Sequence, residues 1–222
     1  MTYPGGKNGA GVYQKIINLM PPHTVYIEPF IGGGAIMRQK KKAWKSIGID
    51  QDERALKAFE GDLQIEIIHG CGIEYLENYD FKGGELIYCD PPYPHDTRTH
   101  LNLYKFEMTD DDHLRLLKAI KALPCNVMIS SYLTNMYGCQ LAQWNYTSFE
   151  AMTRGGLRTE SLWYNFDDPI ALHDYSFLGD GFRERERIKR KKQRWTNRLR
   201  NMPKLERQAV LAAIDDAGIN HR

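Results

Sequence analysis

Val25-Tyr26-Ile27-Glu28-Pro29-Phe30-Ile31-Gly32-Gly33-Gly34-Ala35-Ile36 decides the fold of this chain. Residues 25–28 read as a strand. The glycines that follow free the backbone to turn and let a ligand approach it closely. Residues 35–44 then carry a helical pattern. A strand, a glycine turn and a helix make the first half of a βαβ unit. The loop departs from the GxGxxG spacing of dinucleotide sites, and no Lys-Ser/Thr follows it as a phosphate-binding loop requires. Glu28 at the strand end would repel a pyrophosphate and favour a cation, so the expected ligand carries a positive group.

Further along, the alternation repeats. Ile47-Gly48-Ile49-Asp50, Ile65 to His69, Leu86 to Asp90 and Asn126 to Ser131 read as strands, separated by helical patterns. Thr109 with Asp112 resembles a capping box at the start of one of these helices. Trp144 to Met152 and Glu160 to Phe166 read as two strands joined by a turn at Thr153-Arg154-Gly155-Gly156. The expected fold class is α/β: a mostly parallel, seven-stranded sheet finished by an antiparallel hairpin. Residues 1–166 form this domain, residues 167–181 read as a linker, and residues 182–222 as a basic helical hairpin broken at Pro203.

Charge separates the two ends of the chain. Residues 1–182 hold 17 Lys and Arg against 23 Asp and Glu, whereas residues 183–222 hold 13 against 5. A short basic tail is an electrostatic footprint for a polyanion. No apolar run approaches the ~18–20 residues of a membrane span. Neither CxxC spacing among the four cysteines nor metal-ligand spacing among the seven histidines occurs, so no metal is expected. With no secretory leader legible at Met1–Lys7, the expected compartment is cytoplasmic and reducing.

Two more positions carry chemistry. Asp50 ends the second strand about twenty residues after the glycine turn, where an acid commonly accepts ribose hydroxyls; either Asp50 or Asp52 could instead cap the next helix. Tyr88-Cys89-Asp90-Pro91-Pro92-Tyr93 ends the fourth strand. The prolines stiffen the loop and leave carbonyls without N–H competition. Asp90 and the Pro91 carbonyl supply two acceptors for one amino group, and Tyr93 supplies a face for a planar base. That set suits the exocyclic amine of a nucleobase.

Taken in order, Tyr3-Pro4-Gly5-Gly6-Lys7, Glu28 to Gly34, Asp50 and Asp90-Pro91-Pro92-Tyr93 resemble the Dam-type, or D12 class, DNA adenine-N6 methyltransferases over roughly residues 1–166. The resemblance implies a Rossmann-like methyltransferase fold, S-adenosyl-L-methionine as methyl donor and double-stranded DNA as partner. It implies a monomer or weak dimer that needs neither membrane nor metal. By the same resemblance, Tyr3 and Lys7 line the donor pocket. The Phe30 to Gly34 loop, with Gly32 and Gly34, wraps the methionine part, Glu28 and Pro29 also bind the donor, Asp50 holds the ribose, and Asp90 contacts both substrates. Asp90, Pro91, Pro92 and Tyr93 form the catalytic loop.

Two departures stand out. Cys71 occupies the place after the third strand where the family often has an acid. Only about forty residues separate Asp50 from Asp90, leaving no room for the helical recognition region of longer relatives. Target contacts are therefore expected from His95, Arg98, His100 and Lys105 in 94–106, from Arg154 and Arg158, and from Lys191 and Arg194 in the tail. A short target site or weak sequence preference follows. RNA adenine and the N4 amine of cytosine remain open as substrates, and so does a non-catalytic nucleic-acid-binding role.

Overall fold

The computed structural model describes residues 6, 7, 9, 11–97, 104–153 and 156–218, the side chains of 152 and 153 excepted. These residues divide into two compact units, Met1–Asp174 and Tyr175–Arg222.

In the first unit, seven strands form one sheet: β1 (Val25–Glu28), β2 (Lys45–Asp50), β3 (Glu66–His69), β4 (Glu85–Cys89), β5 (Asn126–Ser131), β6 (Asn145–Thr153) and β7 (Gly156–Tyr164). Their order is β3-β2-β1-β4-β5-β7-β6. The first five are parallel, and β7 runs antiparallel to both neighbours. This is the Rossmann-like, mostly parallel sheet with a terminal antiparallel hairpin. β1 and β4 are neighbours whose connections leave in opposite directions, one toward β2 and the other toward β5. A crevice opens at such a switch point, outside the carboxyl ends of the strands.

Parallel strands are buried on both faces and therefore read as nearly continuous apolar runs. Ile27, Ile47, Ile49, Ile87, Val127 and Ile129 are fully buried in one cluster. Each such side chain stabilises the fold by about 1.5–3 kcal/mol. Short helices α1 (Val12–Ile17), α2 (Ala35–Gln39), α3 (Glu53–Leu56), α4 (Gly72–Asn78), α5 (Asp110–Lys121) and α6 (Asn135–Gln140) complete the unit. Thr109 and Asp112 form the reciprocal capping box at the start of α5.

Local pattern and structure differ at three places. α2 ends at Gln39 rather than 44, because Lys40 turns extended. Its buried ammonium lies 4.0 Å over the Tyr26 ring and donates to the Lys41 carbonyl. β7 begins at Gly156 rather than Glu160, since the register carries pairing out to Thr153↔Gly156. The boundary between units falls inside the stretch 167–181 that composition marks as a linker. Asp174 is buried and accepts the Lys41 N–H at 2.9 Å. His173 stacks on His23 at 3.8 Å and bonds through its N–H to the Met20 carbonyl.

The second unit carries α7 (Phe182–Asn201) and α8 (Lys204–Asp216). Met202 turns extended ahead of Pro203, as the residue before proline prefers. Neither helix buries a side chain, and Trp195 on α7 is 52% exposed.

Candidate active site

The carboxyl ends of β1, β2 and β4 surround a cleft of about 210 Å³. Its floor is the glycine turn. Gly32 and Gly34 hold φ of 45° and 61°, a region that side chains other than glycine disfavour. Ile31 N–H bonds to the Ile49 carbonyl, and Gly34 N–H to the Ile31 carbonyl. A Cβ on Gly34 would lie 2.1 Å from the Phe59 ring, and one on Gly72 would lie 1.9 Å from the Pro29 carbonyl oxygen. Two glycines thus let the loops after β1 and β3 close around the cleft.

Asp50 and Asp52 divide the roles that sequence left open. Asp52 caps α3, accepting the Arg54 N–H. Asp50 is free of that task and faces the cleft, where it accepts the backbone N–H groups of Gly32 and Asp52 at 2.8 Å each. Burial pushes Asp50 upward from its ordinary range while these N–H bonds oppose the shift.

Glu28 is only 4% exposed and accepts the Tyr26 hydroxyl at 2.7 Å. Burial pushes its carboxyl up to about 8, against the pull of Tyr26 and Lys40. A buried carboxylate at the mouth of a glycine cradle is a poor place for a phosphate and a good one for a cation. The donor set therefore fits S-adenosyl-L-methionine: Glu28 for positive charge, the Phe30 to Gly34 turn for close backbone approach, and Asp50 for hydroxyls.

Asp90 follows β4 and stands beside Glu28 across the switch point. Lys7 Nζ lies 2.8 Å from Asp90 Oδ1 and 3.5 Å from Glu160 Oε2, and donates to the Tyr93 hydroxyl at 2.7 Å. Burial pulls the Lys7 ammonium down, yet Asp90 and Glu160 more than offset this and the net direction is upward. Burial pushes Asp90 up against the lowering pull of Lys7.

Tyr93 is 6% exposed, its ring set edge-on against Tyr132 at 4.7 Å. It is turned into the Lys7 cluster rather than presenting an open face. Arg158 turns onto the segment after Tyr93 instead of pointing away from the protein: its guanidinium donates to the Thr97 carbonyl at 2.9 Å and lies over the Tyr132 ring. His95 is half-buried in the short turn His95–Thr97. Lys105 is half-exposed, 4.0 Å from Asp52 Oδ1. Cys71 lines the cleft as the residue preceding α4. Tyr3, Arg98, His100 and Arg154 lie outside the described residues. Lys191 and Arg194 are exposed on α7, in the second unit.

Sequence reasoning misses Glu160 and Tyr132. One signal for Glu160 exists: a single acid opens the buried run Glu160-Ser161-Leu162-Trp163-Tyr164 of a strand. Among the described residues no helix is long and apolar enough to cross a membrane. Among the same residues, no group of three or more His, Cys, Asp or Glu is placed to hold a metal ion.

Solved structures with a similar fold include M. capricolum TrmK in complex with S-adenosyl-homocysteine, at 11% identity and a TM-score of 0.47, covering 91% of this chain and 93% of that one. Another is SMU.1697c from Streptococcus mutans, also in complex with S-adenosyl-homocysteine, at 11% identity and a TM-score of 0.49, covering 72% and 99%. A third is spermidine synthase from Thermotoga maritima, at 15% identity and a TM-score of 0.47, covering 73% and 62%. No curated protein sequence matches the chain. The profile of the D12 class N6 adenine-specific DNA methyltransferases matches residues 49–159, which is half of the sequence and includes Asp50 and the whole Asp90-Pro91-Pro92-Tyr93 loop. The chain belongs to that family and is an S-adenosyl-L-methionine-dependent methyltransferase.

Proposed function

We propose that this protein methylates the N6 amine of adenine in double-stranded DNA. The observation that carries the reading is Asp90, a carboxylate held by Lys7 at the switch point, next to the cationic-ligand site at Glu28. A stacked base cannot present its amine there, so the adenine leaves the duplex to enter the cleft. Asp90 and the Pro91 carbonyl accept its two amine hydrogens, which orients the nitrogen and raises its electron density. The donor supplies an activated methyl group. Glu28 holds its positive charge, the Phe30 to Gly34 turn its methionine part with Pro29, and Asp50 its ribose, with Lys7 along the pocket wall. Positioning and electrostatics supply the catalysis, with no covalent enzyme intermediate. Tyr93 leaves its place against Tyr132 and stacks on the extruded base. Pro92 keeps the loop stiff.

Contacts to DNA come from His95, Arg98 and Lys105 after the catalytic loop, from Arg154, and from α7. Arg183, Arg187, Arg190, Arg194 and Arg198 recur at intervals of four, three, four and four along that helix, and all five are exposed. They form one stripe about 22 Å long, flanked by Lys191. A row of guanidiniums of that length suits a run of phosphates rather than base edges.

The test is incubation of unmethylated plasmid, unmethylated RNA and labelled donor with the protein. Label in N6-methyladenine of DNA is the expected result. Label in RNA or in methylcytosine reassigns the substrate, and none anywhere refutes the reading.

A further inference from the structure

One ammonium faces two carboxylates at the heart of the site. Lys7 Nζ lies between Asp90 Oδ1 at 2.8 Å and Glu160 Oε2 at 3.5 Å, and Lys7 and Glu160 are both buried. The two acids come from different parts of the fold. Asp90 follows β4, whereas Glu160 reaches in from β7, two positions over in the sheet. A structural ion pair needs only one of them. The second adds a desolvation cost that its attraction to Lys7 has to offset.

We propose that Glu160 is a positioning residue for methyl transfer: a second counter-ion that keeps the Lys7 ammonium charged and in place while Asp90 takes the proton released from N6. This inference rests on the adenine-N6 reading above. As the bond from N6 to the methyl carbon forms, the bond from that carbon to sulfur breaks and leaves its electron pair on sulfur. One N6 proton passes to Asp90. Asp90 is then neutral, and the buried Lys7 ammonium loses the nearer of its two carboxylates. Burial pushes Glu160 upward as well, but Lys7 pulls it down, and protonation of Asp90 removes the repulsion that also raises it; Glu160 then carries the charge that faces Lys7, so Lys7 keeps its proton.

The surroundings agree with this division of labour. Among the described residues, the titratable and charged groups around the pair include Asp90, Tyr88 on β4, Tyr93 in the catalytic loop, Tyr132 after β5, Glu28 on β1, which interacts with Asp90, and Arg158 on β7, which interacts with Tyr132. Burial holds Tyr88, Tyr93 and Tyr132 above their ordinary range, which keeps them neutral. Asp90 and Glu160 are the two carboxylates that raise the Lys7 ammonium.

The experiment compares wild type, Glu160→Gln and Glu160→Asp in the full chain, with unmethylated plasmid and labelled donor. Glutamine keeps the shape and hydrogen bonding of the side chain but not its charge. Glu160→Gln is expected to lower kcat about 10- to 100-fold, with the KM for DNA little changed. Its alkaline limb should move down by about one pH unit or more, because the ammonium loses a nearby anion. The Lys7 titration, followed by NMR in donor-free protein, should move the same way. Glu160→Asp should keep the wild-type titration and recover part of the rate. A Glu160→Gln variant with wild-type kcat and an unmoved alkaline limb overturns the proposal, and so do two equally slow variants with no change in pH profile. Should Glu160→Gln fail to fold, Glu160→Asp decides alone: a Lys7 titration at its wild-type position supports the proposal, and one moved downward overturns it. A wild-type protein that transfers nothing to adenine refutes the proposed function and this role with it. An active wild type beside an indifferent Glu160→Gln refutes only the role of Glu160.

Discussion

The carboxylate of Asp50 holds the backbone of Gly32, eighteen residues earlier, by an N–H bond of 2.8 Å. One side chain therefore ties the end of β2 to the turn after β1, and both loops present a single preformed surface to the cleft. Each oxygen of that carboxylate accepts one backbone N–H and retains room for a ribose hydroxyl. Asp50→Ala should weaken donor binding about 10- to 100-fold, as expected for losing charge-assisted hydrogen bonds, while DNA binding stays near wild type. Calorimetric titration with S-adenosyl-homocysteine measures it. An unchanged donor affinity would remove Asp50 from the site.

Close approach at Gly72 makes a separate test of the cradle. A methyl group there would meet the Pro29 carbonyl at 1.9 Å, a backbone atom that cannot swing aside. Gly72→Ala should destabilise the fold by about 1–3 kcal/mol or more and weaken donor binding with it. At Gly61, where nothing lies within 4 Å of an added Cβ, alanine meets only the strain of a left-handed backbone, about 1–2 kcal/mol. Urea midpoints of the two variants compare them. Equal midpoints would show that the Pro29 loop is slack.

Glu28 makes donor binding depend on pH with a definite sign. Burial sets its carboxyl at about 8 in the free protein, so below that pH the group is protonated, and a cationic ligand must expel the proton to bind. Affinity for S-adenosyl-L-methionine should rise with pH up to about 8 and level off above it, at close to tenfold per pH unit on the rising side. Glu28→Gln should bind more weakly and lose that part of the slope. Dissociation constants from pH 6 to 9 for both proteins decide the matter. A wild-type slope no steeper than that of Glu28→Gln would show that Glu28 does not meet the charge.

For the arginine stripe the prediction concerns salt rather than rate. Replacing Arg183, Arg190, Arg194 and Arg198 together by glutamine should reduce the slope of log affinity against log salt by about 0.9 for each phosphate that the helix no longer neutralises. The methylated sequence should stay the same, since phosphate contacts carry no base information. Filter binding across a salt series is sufficient. A slope identical to wild type would show that this face of α7 does not touch DNA.

Legibility in the sequence followed the range of the interactions. The strand, the glycine turn and Asp90-Pro91-Pro92-Tyr93 are local signals, and the structure has them at adjoining strand ends. The Thr109–Asp112 box is local too and closes as written. Lys40 ended α2 early because the Tyr26 ring under its ammonium belongs to tertiary structure and not to helix propensity. Asp50 and Asp52 could not be told apart from spacing, because either could cap α3 until the Gly32 N–H claimed one of them. Arg158 has the residue type of a DNA contact, yet the fold turns its guanidinium onto Thr97. Glu160 was hidden for a stronger reason. Its meaning depends on β7 lying beside β5 and on Lys7 entering from the far end of the chain, a meeting that no local pattern encodes.

If Asp90 grips the amine that receives the methyl group, its removal must cost methyl transfer and spare donor binding. Wild type and Asp90→Ala are assayed side by side for methyl transfer to unmethylated DNA and for donor affinity. Asp90→Ala should lose transfer by at least about 100- to 1,000-fold with a donor dissociation constant within a few-fold of wild type. An Asp90→Ala protein that still methylates adenine at the wild-type rate would contradict it.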